Sequence, residues 1–198
     1  KCEELFISQL RMGFLRFKRN HFSKGNTFSK VGNLFNDFYS NHLPFELTGA
    51  QKRVLKEIRK DVGSGKQMNR LLQGDVGSGK TMVALMAMLI AADNGYQSCF
   101  MAPTEILTRQ HFEGLKNMVQ HIHVKIGILT GSSTAKEKRE MLKATAEGES
   151  TIQTLTFSWM LVAVQFKNLG LVIVDEQHRF GVARMAKLGD KNEINAHI

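Results

Sequence analysis

An α/β fold with a parallel sheet between helices is predicted by three observations. Short apolar runs alternate with helical stretches of ten or more residues, a pattern that calls for crossover connections and therefore parallel strands. One run, residues 171–174, is continuously apolar between Gly170 and Asp175, as a strand covered on both faces must be. A glycine-rich loop stands between a short run at 70–73, read as a strand, and a strongly apolar helix over 81–92. Ligands of such sheets bind beyond the carboxyl ends of the strands. Both the glycine loop and the acidic pair Asp175 and Glu176 fall at such ends.

The 198 residues suffice for one full domain with a small appendage. Hydrophobic residues at 42% are too many for a disordered chain, and the two prolines exclude Pro-rich linkers. Lys plus Arg is 27 against 18 for Asp plus Glu, a net +9 that favours a polyanionic partner and argues against an acidic tail. The longest apolar run, 82–92, is too short to cross a bilayer, so no membrane partner is expected. Glu3 and Glu4 interrupt any secretory signal at the start. Cys2 and Cys99 are too few for a disulfide framework or a zinc site. A reducing cytoplasmic location is the expectation.

Two parts are expected along the chain. Residues 1–43 are basic and aromatic, with Leu5, Phe6 and Leu10 at helical spacing and Gly25, Asn26, Gly32 and Asn33 as breakers; they read as one or two helices with loops. The cluster Arg16, Phe17, Lys18 and Arg19 is either a phosphate contact or a solvated helix face. The second part, 44–198, opens with a helix whose start is marked by the capping box Thr48 and Gln51 and whose apolar face is Val54, Leu55 and Ile58. The helix over 81–92 ends at Asn94-Gly95. A strand follows over 97–102, then a helix capped by Thr104 and running to about residue 120. A strand over 124–129, a helix opened by the capping box Thr134 and Glu137, and a strand over 152–157 precede the run at 171–174.

The segment Gly74-Asp-Val-Gly-Ser-Gly-Lys80-Thr81 fits G-x-x-x-x-G-K-[ST]. In that pattern Gly74, Asp75, Val76, Gly77, Ser78 and Gly79 turn backbone N–H groups toward a phosphate chain, and the following helix adds the positive end of its dipole. Lys80 reaches the outer phosphates and the Thr81 hydroxyl faces Mg²⁺. The same hexapeptide, Asp-Val-Gly-Ser-Gly-Lys, also occupies 61–66, but with Lys60 in place of the first glycine and Gln67 in place of the hydroxyl; it reads as a flexible loop. Of Asp175 and Glu176, one carboxylate suits Mg²⁺ and the other suits the attacking water; a plain cap is the alternative. Gln51, after Phe45, either serves its capping box alone or also reads an adenine edge. Thr104, Gln110 and His111, and likewise Thr130 and Gly131, suit nucleic-acid phosphates or serve as cap and solvated positions. His121 and His123 lack a third metal ligand. Met82, Met86 and Met88 are core residues of their helix.

These motifs resemble superfamily 2 helicases, in the form found in the RecG family of ATP-dependent DNA helicases. Asp175-Glu-Gln-His178, followed by Arg179-Phe180-Gly181-Val182, resembles motif II, and Gly74 to Thr81 resembles motif I. Leu43-Pro-Phe-Glu-Leu-Thr-Gly-Ala-Gln51 resembles the opening of the first motor domain. Ala102-Pro-Thr-Glu-Ile-Leu with Gln110-His111 resembles motif Ia, and Leu129-Thr-Gly131 resembles motif Ib. The resemblance implies a RecA-like P-loop NTPase domain over 44–198 and a helical connector over 1–43. It implies ATP and Mg²⁺ as cofactors, with Lys80 and Thr81 on the phosphates and metal and Gln51 on adenine. It further implies Asp175 on Mg²⁺, Glu176 activating water, Thr104 and Thr130 on a DNA backbone, and His178 coupling the nucleotide site to DNA. Branched or forked DNA is the implied partner, together with a second motor domain and a wedge domain of the full-length parent.

Two departures bear on activity. Where the family carries G-T-H-A-L, this chain has Leu155-Thr-Phe-Ser-Trp159, sharing Thr156 alone. The sequence also stops at Ile198, ahead of the T-A-T-P strand of motif III and of the second domain that supplies arginines to the ATP site. Losing such an arginine costs on the order of 10³–10⁵ in rate, so weak turnover is expected. A bare edge beside the strand at 70–73, marginal stability and self-association are expected too. A non-catalytic nucleotide- or DNA-binding remnant is the alternative reading.

Overall fold

The computed structural model describes residues 6, 7, 10, 24–162, 164–176 and 196–198. The Arg16–Arg19 cluster, His178 and the segment after it lie outside the described residues. Among the described residues the elements follow in order: α1 (Asn33–Asp37), continued by a π-helical turn Phe38–His42; α2 (Gly49–Val62); α3 (Lys80–Asp93); β1 (Gln97–Ala102); α4 (Glu105–Met118); β2 (Ile126–Leu129); α5 (Ala135–Glu147); β3 (Ile152–Thr156); α6 (Phe157–Val162); and β4 (Leu169–Val174).

The four strands form a parallel sheet in the order β2-β3-β1-β4. β1 is central and buried at every position. Its side chains alternate across the sheet, as a strand with period two requires. Phe100 joins the core made with α2, α3 and Leu115 of α4, while Cys99 and Met101 join Leu129, Leu155, Phe157 and Val172 on the other face, with Met141 of α5 packed against them. Burial raises the Cys99 thiol pKa far above its ordinary value, so it behaves as an inert core residue.

α3 is apolar all round and buried over most of its length, including Met82, Met86 and Met88. A helix with no polar face has to sit under other layers. α1 and α2 supply that cover. Both expected capping boxes form: the Thr48 hydroxyl accepts the Gln51 N–H while the Gln51 side chain accepts the Thr48 N–H, and Thr134 and Glu137 do the same for α5. Thr104 caps α4 by accepting the Leu107 N–H.

The connection between α1 and α3 was not legible beforehand. Gly32, the N-cap of α1, has no side chain to offer. The Asp93 carboxylate, at the last position of α3, takes that role by accepting the N–H groups of Gly32, Leu34 and Phe35 at 2.9, 3.0 and 3.1 Å. A carboxylate is poorly placed at the end of its own helix, where the dipole is negative. The positive end of α1 compensates it.

Four expectations are corrected. Residues 70–73 form no regular strand, and the ladder before the glycine loop involves Met68 and Arg70 instead. There Ala196–Ile198 inserts parallel between β4 and that segment: His197 exchanges hydrogen bonds with Gly170 and Val172, and Ile198 with Met68 and Arg70. The expected bare edge is therefore covered over 68–70. The repeat at 61–66 is not simply a flexible loop: Asp61 and Val62 end α2, Gly65 turns at φ 73°, and Lys66 bridges Lys24. Finally, Phe157 starts α6 and does not end β3.

Candidate nucleotide site and the surface beside it

The glycine loop joins the segment after Arg70 to α3. Gly77 and Gly79 both adopt the left-handed conformation, with φ 79° and 77°. A side chain at Gly79 would also collide with the Gln51 amide, so glycine is required there on two counts. Val76 at the tip is fully exposed. The first turn of α3 begins at Lys80, which leaves its free N–H groups facing the loop. Lys80 folds back and donates to the carbonyls of Gly74 and Asp75 at 2.7 and 2.8 Å. Thr81 is half-buried as the second residue of the helix.

Gln51 reaches the loop from α2. While its Oε1 completes the capping box, its Nε2 donates to the Ser78 carbonyl at 2.9 Å. The residue is 8% exposed, so one amide both starts a helix and braces the loop. Phe45, just upstream, is half exposed.

Asp175 follows the last residue of β4, and its N–H donates to the Met101 carbonyl at 2.9 Å. Its carboxyl is held below the usual range, chiefly by the hydrogen bond from His111 and also by the charge of Lys80. Glu176, next along, has a positive φ of 50°, an uncommon conformation for a non-glycine residue.

The predicted nucleic-acid residues divide into two groups. Gln110 and Gly131 are exposed, and Thr104 is an exposed N-cap. Thr130 is corrected: it is fully buried, with its hydroxyl accepting from Arg109 at 3.2 Å and paired with Ser133 at 3.2 Å. A buried hydroxyl so occupied is not positioned for a phosphate. His111 is corrected as well. It points along a different direction of α4 from Gln110, being one residue on, and its Nε2 lies 2.7 Å from Asp175 Oδ2. Its ring packs on Phe100, with centroids 4.6 Å apart.

Sequence reasoning missed the group that ties α4 to the loop after β2. Glu105 pairs with Arg109 at 3.1 Å, and Arg109 donates to Ser132 at 2.6 Å. The Ser132 hydroxyl also meets Glu105. Bonds from Ser132 first, then Arg109, hold the Glu105 carboxyl below its ordinary range. The i, i+4 spacing of Glu105 and Arg109 signals the pair; nothing local signals Ser132. In the same region Lys138 donates to the Gly131 carbonyl at 2.7 Å and lies over the Trp159 ring at 5.4 Å. The departing 155–159 segment is thereby attached to the loop after β2.

The donor set suits a nucleoside triphosphate with Mg²⁺. The Thr81 hydroxyl and the Asp175 carboxylate are hard oxygen donors, and Mg²⁺ is commonly held by one or two such groups together with phosphates and water. Among the described residues no three His, Cys, Asp or Glu side chains gather as an all-protein metal cage. Nor, among them, is any helix long and apolar enough to cross a membrane. His121 stacks on His42, with centroids 5.5 Å apart.

Comparison with known proteins agrees with this geometry. The ATP-dependent DNA helicase RecG of Streptococcus pneumoniae is 44% identical over 193 residues, covering 98% of this chain and 28% of that protein. The RecG of Bacillus subtilis is 43% identical over 191 residues, covering 96% and 28%. This chain thus spans under a third of the length of either relative. A solved structure of RecG bound to a three-way DNA junction superposes with a TM-score of 0.82 at 42% identity, over 90% of this chain and 24% of that one. The parallel sheet flanked by helices is accordingly RecA-like. The DEAD/DEAH box helicase family model matches residues 48–193, and the chain belongs to that family.

Proposed function

We propose that the chain is the first motor domain, over 44–198, of an ATP-dependent DNA helicase that remodels branched or forked DNA, with 1–43 as the connector to a wedge domain. A second motor domain in the parent completes the machine, which works in the cytoplasm. The observation that carries this reading is the glycine loop itself, with Gly77 and Gly79 left-handed, the start of α3 directly behind it, and Lys80 folded onto the Gly74 and Asp75 carbonyls.

The residues act as follows. The loop N–H groups and the start of α3 bind the phosphate chain. Lys80 exchanges the Gly74 and Asp75 carbonyls for outer phosphate oxygens when substrate binds. Gln51 fixes the loop wall and, with Phe45, borders the adenine. Thr81 and Asp175 hold Mg²⁺, which neutralises phosphate charge when bound. Glu176 accepts the proton of the attacking water. Thr104, Gln110, Gly131 and Arg109 form the DNA-facing surface, and His178 couples it to the nucleotide site. The basic excess of the chain favours the same partner.

The test is ATP hydrolysis with and without a forked DNA, using Lys80→Ala as the blank. DNA-stimulated turnover that disappears in Lys80→Ala is the expected result for a coupled motor. Nucleotide binding without turnover above the blank supports the second reading, a binding remnant, which the replaced 155–159 segment favours.

A further inference from the structure

We propose that His111 is a positioning residue for the Asp175 carboxylate, holding Oδ2 so that the other carboxylate oxygen is presented to the divalent cation. The proposal rests on the reading above that Asp175 holds Mg²⁺.

The geometry is specific. His111 Nε2 lies 2.7 Å from Asp175 Oδ2, and His111 is the one side chain hydrogen-bonded to Asp175 among the described residues. The His111 side chain is 16% exposed, so water competes little for the bond. The Phe100 ring of β1, 4.6 Å away between centroids, fixes the imidazole plane. The Asp175 backbone is anchored through its N–H to Met101, which leaves the two side-chain torsions as the remaining freedom, the terminal one setting the carboxylate plane. That torsion is broad and roughly two-fold when nothing holds it. A donor on one oxygen removes the freedom. Groups that orient a metal ligand in this way commonly contribute 10–100-fold to metal affinity.

The test is equilibrium titration of the chain with an ATP analogue carrying a fluorophore on its ribose, in excess Mg²⁺ and in EDTA. The readout is the ratio of the two affinities. His111→Phe keeps a ring against Phe100 and removes the donor. It is expected to lower the Mg²⁺-dependent ratio about 10-fold or more while leaving the affinity in EDTA unchanged. His111→Gln, which retains an N–H donor, is expected to recover part of the ratio. A wild-type ratio in His111→Phe overturns the proposal and leaves the nucleotide reading standing. Equal loss with and without Mg²⁺ in His111→Phe also overturns it, since that marks a merely structural role, and so does His111→Gln behaving as His111→Phe. A wild-type chain that binds equally with and without Mg²⁺ overturns both this proposal and the role of Asp175.

Discussion

Gln51 donates to the Ser78 carbonyl at 2.9 Å, so the residue that starts α2 also forms the inner wall of the glycine loop. Thr48→Ala and Gln51→Ala separate the two roles. Loss of the Thr48 cap costs about 1 kcal/mol of stability and leaves nucleotide affinity unchanged. Gln51→Ala loses its side of the box and the brace together. It is expected to cost about 1–2 kcal/mol and also to weaken nucleotide binding. Chemical denaturation and nucleotide titration of both variants check this.

Among the described residues, the hydrogen bonds of the Lys80 ammonium go to the loop carbonyls of Gly74 and Asp75. Lys80→Ala should change stability by no more than about 0.5 kcal/mol while abolishing ATP hydrolysis. A melting curve and a phosphate-release assay on the same sample suffice. A large fall in melting temperature would show that the lysine is structural.

The Asp93 carboxylate anchors α1 through three backbone N–H groups. Asp93→Ala is expected to cost about 2 kcal/mol, and the loss should be local. Hydrogen exchange at Gly32, Leu34 and Phe35 should accelerate before that of β1. Uniform acceleration would mean that α1 and the sheet open together.

His197 is fully buried, accepting the Met68 N–H at Nδ1 (2.9 Å) and facing the Asn26 carbonyl with Nε2 (2.6 Å). Nε2 therefore carries the proton and the ring is neutral. Burial is the main cause holding its pKa below the ordinary 6.5. Between the lowered folded value and 6.5 the unfolded chain binds the extra proton, so stability rises with pH through that window and falls on acidification. The melting temperature should drop between about pH 7.5 and about pH 5.5. In His197→Gln the drop should be smaller, even though the variant starts from a lower stability. Identical slopes in the two proteins would refute the assignment.

Much of this fold was legible because its signals are local. Thr48 with Gln51, Thr134 with Glu137, and Asn94 with Gly95 mark helix ends through contacts three or four residues apart. The run around β4 and the loop from Gly74 to Thr81 are read from consecutive residues. What was missed depends on contacts across long stretches of chain. Asp93 meets residues some sixty positions earlier, His111 meets Asp175 64 positions later, and Arg109 meets Thr130 across a strand. Thr130 shows the cost of reading position without burial: the residue lies where a phosphate contact is expected, yet its hydroxyl is consumed inside the protein. The expected strand at 70–73 fails for a related reason, since a strand needs a neighbour and the ladder there reaches only Met68 and Arg70.

Trp159 is the chain's sole tryptophan, and the Lys138 ammonium lies over its ring while the same ammonium holds the Gly131 carbonyl. The protein thus carries a built-in optical reporter on the junction of α5, α6 and the loop after β2. Any ligand that draws Lys138 away from the ring changes the emission of one identifiable fluorophore, with no label attached and no second tryptophan to obscure it.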